Sequence, residues 1–171
     1  MSEHVAVFPG TFDPVTHGHL DLIRRGSAIF DALIVAVSDG SGRSHFPHDE
    51  RVGMLAALVV PYANVSVQPF DGLLVEFAQR VGATVLLRGV RGVRDYEYEL
   101  EMAWANRGLA PEVETVFLAP SPQVALVSSS LVREVEALGG DVSAWVPPAV
   151  VAALEKRPPA GPGTDGARKE E

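Results

Sequence analysis

The chain has 171 residues, which is enough for one domain with a sizeable core but short for two. Its net charge of -8 argues against general nucleic-acid binding, which needs a basic face, and the absence of cysteine excludes disulfides and thiolate chemistry. The start of the chain lacks a signal-peptide pattern, and no apolar run reaches the roughly 18 residues that span a bilayer. We therefore expect a cytoplasmic protein with neither a membrane nor a nucleic acid as partner.

A strand, a glycine loop and a helix are predicted at the beginning of the chain. The apolar run Val5 to Phe8 predicts the strand, Pro9-Gly10 ends it, and an amphipathic pattern from His19 predicts a helix that ends near residue 30. Gly10 and Gly18 have no Cβ and let a ligand approach the main chain, while the first turn of the helix offers unpaired N–H groups. The stretch therefore predicts a site for an anion, most naturally a phosphate.

Two histidines, His17 and His19, flank Gly18 at the entrance to this helix. Only histidine can be neutral or charged near pH 7 while offering a ring N–H to a phosphate oxygen. An isolated histidine would more often cap and pack the start of a helix. The glycines, Thr11 and Thr16 favour a phosphate-binding role here.

Strands and helices alternate along the rest of the chain. Short apolar or alternating runs predict strands at 33–37, 65–70, 84–87 and 113–118. Amphipathic segments predict helices at 49–60, 73–81 and 95–109, then one after the serines near 130, and a short closing helix within 142–156.

Such alternation predicts an α/β fold with a doubly wound, Rossmann-like, five-stranded parallel sheet. The strand order 3-2-1-4-5 is the commonest arrangement that brings Thr11 and His19 opposite Arg88 and Arg91. We expect a single domain over residues 1–157. Residues 158–171 are rich in proline, glycine and charge, and predict a disordered tail.

A cluster of arginines follows the fourth predicted strand at positions 88, 91 and 94, interleaved with two glycines. Guanidinium groups suit phosphate oxygens, and ligands of doubly wound sheets bind at such strand-to-helix junctions. The alternative is a solvated turn in which the arginines pair with neighbouring acids, namely Asp95, Glu97, Glu99 and Glu101.

Two further loops carry polar side chains. Ser128, Ser129 and Ser130 stand at the mouth of a predicted helix, where a cap explains one hydroxyl and the surplus predicts a second anion site. The glycine-rich stretch 38–47 is interpreted equally well as a connector or as a substrate loop.

Four motifs together resemble the phosphopantetheine adenylyltransferase family of the nucleotidylyltransferase superfamily. They are PGTFDPVTHGH at 9–19, the pair Glu50-Arg51, RGVRGVRDYEYE at 88–99 and SSSLVRE at 128–134, and the similarity reaches about Lys156. The resemblance implies transfer of AMP from ATP to 4'-phosphopantetheine, which gives dephospho-coenzyme A and pyrophosphate. It also implies magnesium as cofactor, a homohexamer and coenzyme A as a feedback ligand.

The resemblance further implies roles for individual residues. Thr11, His19 and Arg91 would act on the reacting phosphates, with His19 stabilising the transition state. Arg88 would hold the pantetheine phosphate and Leu74 would lie along the pantetheine arm. ATP would be surrounded by Thr11, Phe12, His19, Gly89, Val90, Arg91, Glu99, Val124, Ala125, Leu126, Val127, Ser128, Ser129 and Ser130. No protein side chain would bind the metal, which the phosphates of ATP would carry.

One position departs from the family pattern. The family generally has a lysine that grips the acceptor phosphate four residues before the phenylalanine that precedes the E-R pair, and this chain has Gly42 at that distance from Phe46. Arg43 is the predicted substitute, with a planar fork in place of a compact ammonium group.

The acceptor phosphate is already an anion and needs no general base, so we expect direct in-line transfer without a covalent adenylyl-enzyme. One alternative is a related nucleotidylyltransferase that acts on nicotinate mononucleotide, glycerol phosphate or another small phosphate ester. The other is a nucleotide- or metal-binding module without turnover, in which the metal ligands would be His17, His19, His45 and His48. Interleaved carboxylates and HExxH spacing are absent, which argues against the metal site.

Overall fold

The computed structural model describes residues 4–40 and 44–157 and shows an α/β protein built on a five-stranded parallel sheet. The strands are β1 (Val5–Gly10), β2 (Ala32–Ser38), β3 (Val65–Phe70), β4 (Val85–Gly89) and β5 (Glu114–Leu118). Within these residues the helices are α1 (His17–Ile29), α2 (His48–Val59), α3 (Leu74–Arg80), α4 (Val93–Leu109), α5 (Ser129–Ala137) and α6 (Pro148–Glu155). The order β3-β2-β1-β4-β5 confirms the predicted topology.

The element boundaries follow the predicted ones closely, and the differences have local causes. The strand β1 extends past Phe8 because Pro9 and Gly10 continue the parallel register, opposite Ala36 and Val37 of β2. The predicted tail and Arg43 lie outside the described residues.

Helices cover both faces of the sheet, as the continuous apolar runs predict. On one face α1, α2, α5 and α6 pack over strand residues such as Phe8, Leu33 and Leu87. On the other face α3 packs over Val7 and Ile34. None of the described helices is long and apolar enough to cross a bilayer.

The chain order reverses between two central strands. The strand β1 pairs with β2 on one side and with β4 on the other, all in parallel. Ligands of doubly wound sheets bind beyond the carboxyl ends of the strands at such a reversal. The loops that follow Gly10 and Gly89 therefore meet where a ligand is expected.

Candidate active site

A cavity of about 520 Å³ lies at the carboxyl ends of β1 and β4. Most of the site residues predicted from the sequence line it, namely Thr11, Phe12, His19, Leu74, Arg88, Gly89, Arg91, Glu99, Val124, Val127, Ser128, Ser129 and Ser130. The imidazole of His19 and the guanidinium groups of Arg88 and Arg91 thus share one space.

The remaining predicted residues are placed elsewhere. Val90, Ala125 and Leu126 are not among the residues that line the cavity. The side chain of Leu126 is 89% exposed, and the Val90 N–H donates to the carbonyl of Leu118. Arg43 belongs to the segment that the structure does not describe.

The cavity is also lined by residues that were not assigned to the site from the sequence, including Leu22, Phe70, Tyr98 and Pro120, and by Ser38, the first residue of the predicted connector or substrate loop. Ser38 and Phe70 are the last residues of β2 and β3, so their position at the carboxyl edge was a usable signal. Leu22 lies on the core face of α1 and carries no such signal.

The start of α1 is built around a capping interaction between Thr16 and His19. The Thr16 hydroxyl accepts a hydrogen bond from the His19 N–H at 3.4 Å, and the Thr16 N–H donates to Nδ1 of His19 at 3.0 Å. The His19 ring takes the place that glutamate or glutamine usually has in a capping box. Because Thr16 caps the helix, α1 begins at His17 and not at His19 as predicted.

This interaction fixes which nitrogen of the His19 ring carries the proton. Since Nδ1 accepts the Thr16 N–H, a neutral ring has its proton on Nε2. Burial, followed by the positive charge of Arg91, lowers the pKa of His19 from 6.5 to about 4. The ring is therefore neutral near pH 7 and presents one N–H donor.

The backbone donors expected at the helix start are partly occupied by the protein itself. The His17 N–H donates to the Trp145 carbonyl at 3.0 Å, and the His19 N–H is taken by Thr16. The prediction of unpaired donors in the first turn from His19 was therefore wrong at His19, and also at Leu20, whose N–H donates to the Thr16 carbonyl at 3.2 Å. Gly18 lies close to the segment before α5, since a Cβ there would be 3.4 Å from the Val124 carbonyl oxygen.

Two buried charged residues that sequence reasoning did not assign hold the loop after β1. Arg51 is 1% exposed and donates to the carbonyls of Thr11 at 2.5 Å and Phe46 at 3.0 Å. The Asp13 carboxylate accepts the N–H groups of His45 at 2.6 Å and Phe46 at 2.8 Å. The loop is therefore tied to the segment that precedes α2.

The three serines at the start of α5 all have protein partners. Ser128 caps α5, the Ser129 hydroxyl donates to the Pro14 carbonyl at 2.7 Å, and the Ser130 hydroxyl accepts from Arg133 at 3.3 Å. The Ser129 hydroxyl thus binds α5 to the loop after β1, whereas the Ser130 hydroxyl bonds within α5. The second anion site stays a prediction.

The arginines after β4 line the cavity and also pair with acids. Arg88 binds both carboxylate oxygens of Glu99 at 2.6 Å and donates to the Pro9 carbonyl at 3.2 Å. Arg91 pairs with Asp95 at 2.7 Å and holds the pKa of that carboxyl below its usual range. The predicted pairing with neighbouring acids is therefore confirmed at these two positions, and phosphate binding by the arginines stays a prediction.

A smaller cavity of about 60 Å³ adjoins the first. The two cavities share Leu74, Arg88, Tyr98 and Glu99, and the smaller one is further lined by Met102, Ala103, Asn106 and Thr115. The smaller cavity thus lies between Arg88 and the body of α4.

The loop after β5 is anchored by an aspartate on α1. Asp21 accepts hydrogen bonds from the Ser121 N–H at 2.8 Å and hydroxyl at 2.9 Å. Burial alone would raise the pKa of Asp21, but these bonds and those from Arg24 and Arg25 hold it below the usual value. The neighbouring Pro120 is thereby kept at the wall of the cavity.

The described residues contain no group of three or more histidine, aspartate or glutamate side chains that could hold a metal ion. Two of the histidines considered as ligands have other partners. His19 accepts from Thr16 through Nδ1, and His48 Nε2 lies 2.9 Å from the Val37 carbonyl oxygen.

Comparisons with known proteins agree with this geometry. The cytidylyltransferase-like family matches residues 7–135. A phosphopantetheine adenylyltransferase from Alkalilimnicola ehrlichii is 53% identical over 165 residues, which is 95% of this chain and 94% of the relative. One from Xylella fastidiosa is 48% identical over 157 residues, which is 91% of this chain and 97% of the relative.

Among solved structures, a protein from Vibrio parahaemolyticus assigned as a nicotinate-nucleotide adenylyltransferase superimposes with a TM-score of 0.68. It is 17% identical in sequence, and the match covers 90% of this chain and 93% of that one. At that identity the likeness shows a shared fold alone.

Proposed function

This chain belongs to the phosphopantetheine adenylyltransferase family, and from this premise we propose that it transfers the AMP unit of ATP to 4'-phosphopantetheine. The products are dephospho-coenzyme A and pyrophosphate, in the penultimate step of coenzyme A biosynthesis. The observation that carries the proposal is the single cavity bordered by His19, Arg88 and Arg91 at the reversal of the sheet.

The reaction is a single displacement at the α-phosphorus of ATP. An oxygen of the acceptor phosphate forms the new bond, the bond from the α-phosphorus to the bridging oxygen of the β-phosphate breaks, and pyrophosphate leaves with that electron pair. The nucleophile is already an anion, so the site's task is to bring two anions together in line. Such positioning can remove roughly 7 to 11 kcal/mol of the barrier.

His19 is the group proposed to stabilise the transition state. Its Nε2–H is a neutral donor held in place by Thr16, and one such donor aimed at developing charge contributes on the order of 100 to 1,000-fold in rate. Thr11 and Arg91 line the same end of the cavity and are proposed to contact the reacting phosphates.

ATP is proposed to lie between the turn after β4 and the segment Val124–Ser130, with Phe12 beside it. Arg88 is proposed to bind the acceptor phosphate, and Leu74 and the adjoining 60 Å³ cavity to receive the pantetheine arm. The bidentate pair with Glu99 fixes the plane of the Arg88 guanidinium, which supports this assignment. Arg43 is proposed to add a further contact to the acceptor phosphate.

Magnesium is proposed to enter with ATP. The phosphate oxygens of ATP are proposed to supply its ligands, without protein side chains. When bound, the ion neutralises charge on the triphosphate.

A homohexamer is proposed as the assembly, with coenzyme A as a feedback ligand and the cytoplasm as the location. Support for assembly comes from α4, on which Val93 is 75%, Tyr98 60% and Trp104 65% exposed. Large apolar side chains grouped on one helix are typical of a surface that another subunit covers.

Coenzyme A carries the same pantetheine arm as the product and would compete for the acceptor part of the cavity.

The proposal is tested by incubating the protein with ATP, Mg²⁺ and 4'-phosphopantetheine and measuring pyrophosphate and dephospho-coenzyme A. Nicotinate mononucleotide and glycerol phosphate serve as competing acceptors in parallel. We expect stoichiometric products with phosphopantetheine and a much lower rate with the other two. Faster turnover of either competitor would instead assign the chain a different acceptor.

A further inference from the structure

Arg157, just beyond the end of α6, has no role in the site described so far. Its guanidinium makes three contacts with one short stretch of chain. It donates to the carbonyl of His45, lies 4.2 Å from the ring centroid of Phe46 and pairs with Glu50 at 2.6 Å. Only 28% of its side chain is exposed, so these contacts are partly shielded from water.

Arg157 contacts the backbone carbonyl of His45 and the ring of Phe46. These two residues also hold the loop after β1. The N–H groups of His45 and Phe46 donate to the Asp13 carboxylate, and the Phe46 carbonyl accepts from Arg51. Asp13 therefore binds residues 45–46 through their N–H groups, whereas Arg157 binds them through the His45 carbonyl and the Phe46 ring.

The contacts continue from this segment to the reacting end of the cavity. Arg51 also binds the Thr11 carbonyl, so one guanidinium joins Phe46 to Thr11. Next to Thr11, the ring of Phe12 packs edge-on against the ring of His19 at 5.0 Å. A displacement of residues 45–46 would thus reach both Thr11 and the face of His19.

The backbone of Arg157 is held in place by the helix α6. Val150 is 0% and Leu154 7% exposed within the core, and the Arg157 N–H donates to the Leu154 carbonyl at 3.0 Å. The backbone from which the Arg157 side chain extends is therefore fixed.

We propose that Arg157 is a positioning residue for the phosphate-binding loop Thr11–Asp13, acting through His45 and Phe46. The inference rests on the proposed adenylyl transfer. Its energetic basis is the combination of a charge-assisted hydrogen bond, an ion pair and a cation–π contact in one guanidinium, which only arginine can supply together.

The test compares Arg157→Ala with Arg80→Ala in the full chain. Arg80 is a matched control because its guanidinium also lies over a phenylalanine, Phe77, at 5.3 Å, but at the end of α3 away from the cavity. We expect kcat to fall roughly 10-fold in Arg157→Ala, since small displacements of reacting groups are costly. The KM for ATP should rise by a smaller factor than kcat falls, because Gly89 and the serines of α5, which are also proposed to bind ATP, do not belong to the displaced loop.

A second variant separates positioning from loss of stability. Arg157→Lys keeps the charge for Glu50 but cannot form all three contacts, so its kcat should lie between those of the wild type and Arg157→Ala. Equal kcat in Arg157→Ala and Arg80→Ala overturns the proposal. If Arg157→Ala does not fold, wild-type kcat in the lysine variant overturns it and a partial loss supports it.

Amide hydrogen exchange gives a readout that does not depend on turnover. The N–H groups of His45 and Phe46 should exchange at least about 10-fold faster in Arg157→Ala, while those of the central strand β1 stay protected. Unchanged exchange at both amides contradicts the positioning role. If the wild type shows no adenylyl transfer but these amides respond as expected, the proposed function is wrong, whereas the positioning of residues 45–46 by Arg157 is supported.

Discussion

The two walls of the cavity are held in different ways. The wall formed by the loop after β1 is fixed by distant parts of the chain, through the buried Arg51, the Asp13 carboxylate and the Ser129 hydroxyl. The wall formed by the turn after β4 is held mostly by two ion pairs of its own, Arg88 with Glu99 and Arg91 with Asp95.

The two walls therefore have different tasks, because the first fixes the position of the reacting groups and the second supplies positive charge. Buried hydrogen bonds to backbone groups leave few alternative positions, so the first wall sets where His19 stands. The partly exposed pair of Arg91 with Asp95 is weaker, so Arg91 can turn from its carboxylate to a phosphate when ligands arrive, whereas the less exposed pair with Glu99 keeps the Arg88 guanidinium in place. Substitutions on the two walls should therefore have different effects on activity and stability.

The largest effect is expected from His19→Ala on the first wall. Loss of the Nε2–H donor should lower kcat by at least about 100-fold while the fold is retained. Pyrophosphate release measures the rate, and circular dichroism checks the fold. His17→Ala is the matched control, because the contact of His17 with Trp145 uses only its backbone N–H. An equal loss in both variants would show that His19 has no special role.

Arg88→Met should act mainly on acceptor binding. Loss of charge-assisted hydrogen bonds worth roughly 1.5 to 3 kcal/mol predicts a rise of about 10 to 100-fold in the KM for phosphopantetheine. The change also leaves Glu99, which is 8% exposed, without its partner. The double variant Arg88→Met/Glu99→Gln removes that complication, and a normal KM in it would refute the assignment of Arg88.

Asp13→Asn should reduce stability on the first wall. The amide can present only one acceptor oxygen to the His45 and Phe46 N–H groups, so we expect a loss of about 1 to 3 kcal/mol in the free energy of unfolding. Urea denaturation measures it. Asp141→Asn, at an exposed turn where the carboxylate accepts the Ser143 N–H, should change stability less. Equal effects would mean that the Asp13 contacts add little.

The smallest effect is expected in the pH profile of Arg91→Ala. In the wild type the pKa of His19 is about 4, so the fraction of neutral ring should not limit turnover between about pH 6 and 8. Removing the positive charge of Arg91 makes protonation of His19 less unfavourable, so its pKa rises and the acid limb moves to higher pH. Burial, the larger cause, remains, and the shift should be modest. An NMR titration of the His19 ring that shows no rise would contradict this coupling.

The sequence was sufficient for the features that depend on local patterns. Runs such as Leu33 to Val37 are apolar and β-branched enough to identify buried parallel strands, and their alternation with helices predicts a doubly wound sheet, for which 3-2-1-4-5 was the commonest order that unites the site residues. The convergence of Thr11, His19 and Arg88 in one cavity follows from that order. The pairing of Arg91 with Asp95 at a separation of four residues was also within reach of sequence reasoning.

The features that were missed depend on contacts across long stretches of chain. Nothing in the neighbourhood of Arg51 indicates that it is buried against the Thr11 carbonyl, 40 residues away. The same holds for Asp21, whose partner Ser121 is 100 residues distant. The capping role of His19 was considered as the alternative to phosphate binding, but its partner Thr16 and its Nδ1 contact are visible only in the structure. Such partners become visible only when the elements are packed.

If one cavity joins two phosphorylated molecules in a single displacement, the stereochemical course at the α-phosphorus will show it. ATP made chiral at that atom with an oxygen isotope or sulfur is turned over with phosphopantetheine, and the configuration of the dephospho-coenzyme A is determined. Inversion is the predicted result, because the acceptor attacks in line opposite the leaving pyrophosphate. Retention would require two displacements through a covalent adenylyl-enzyme and would contradict the account.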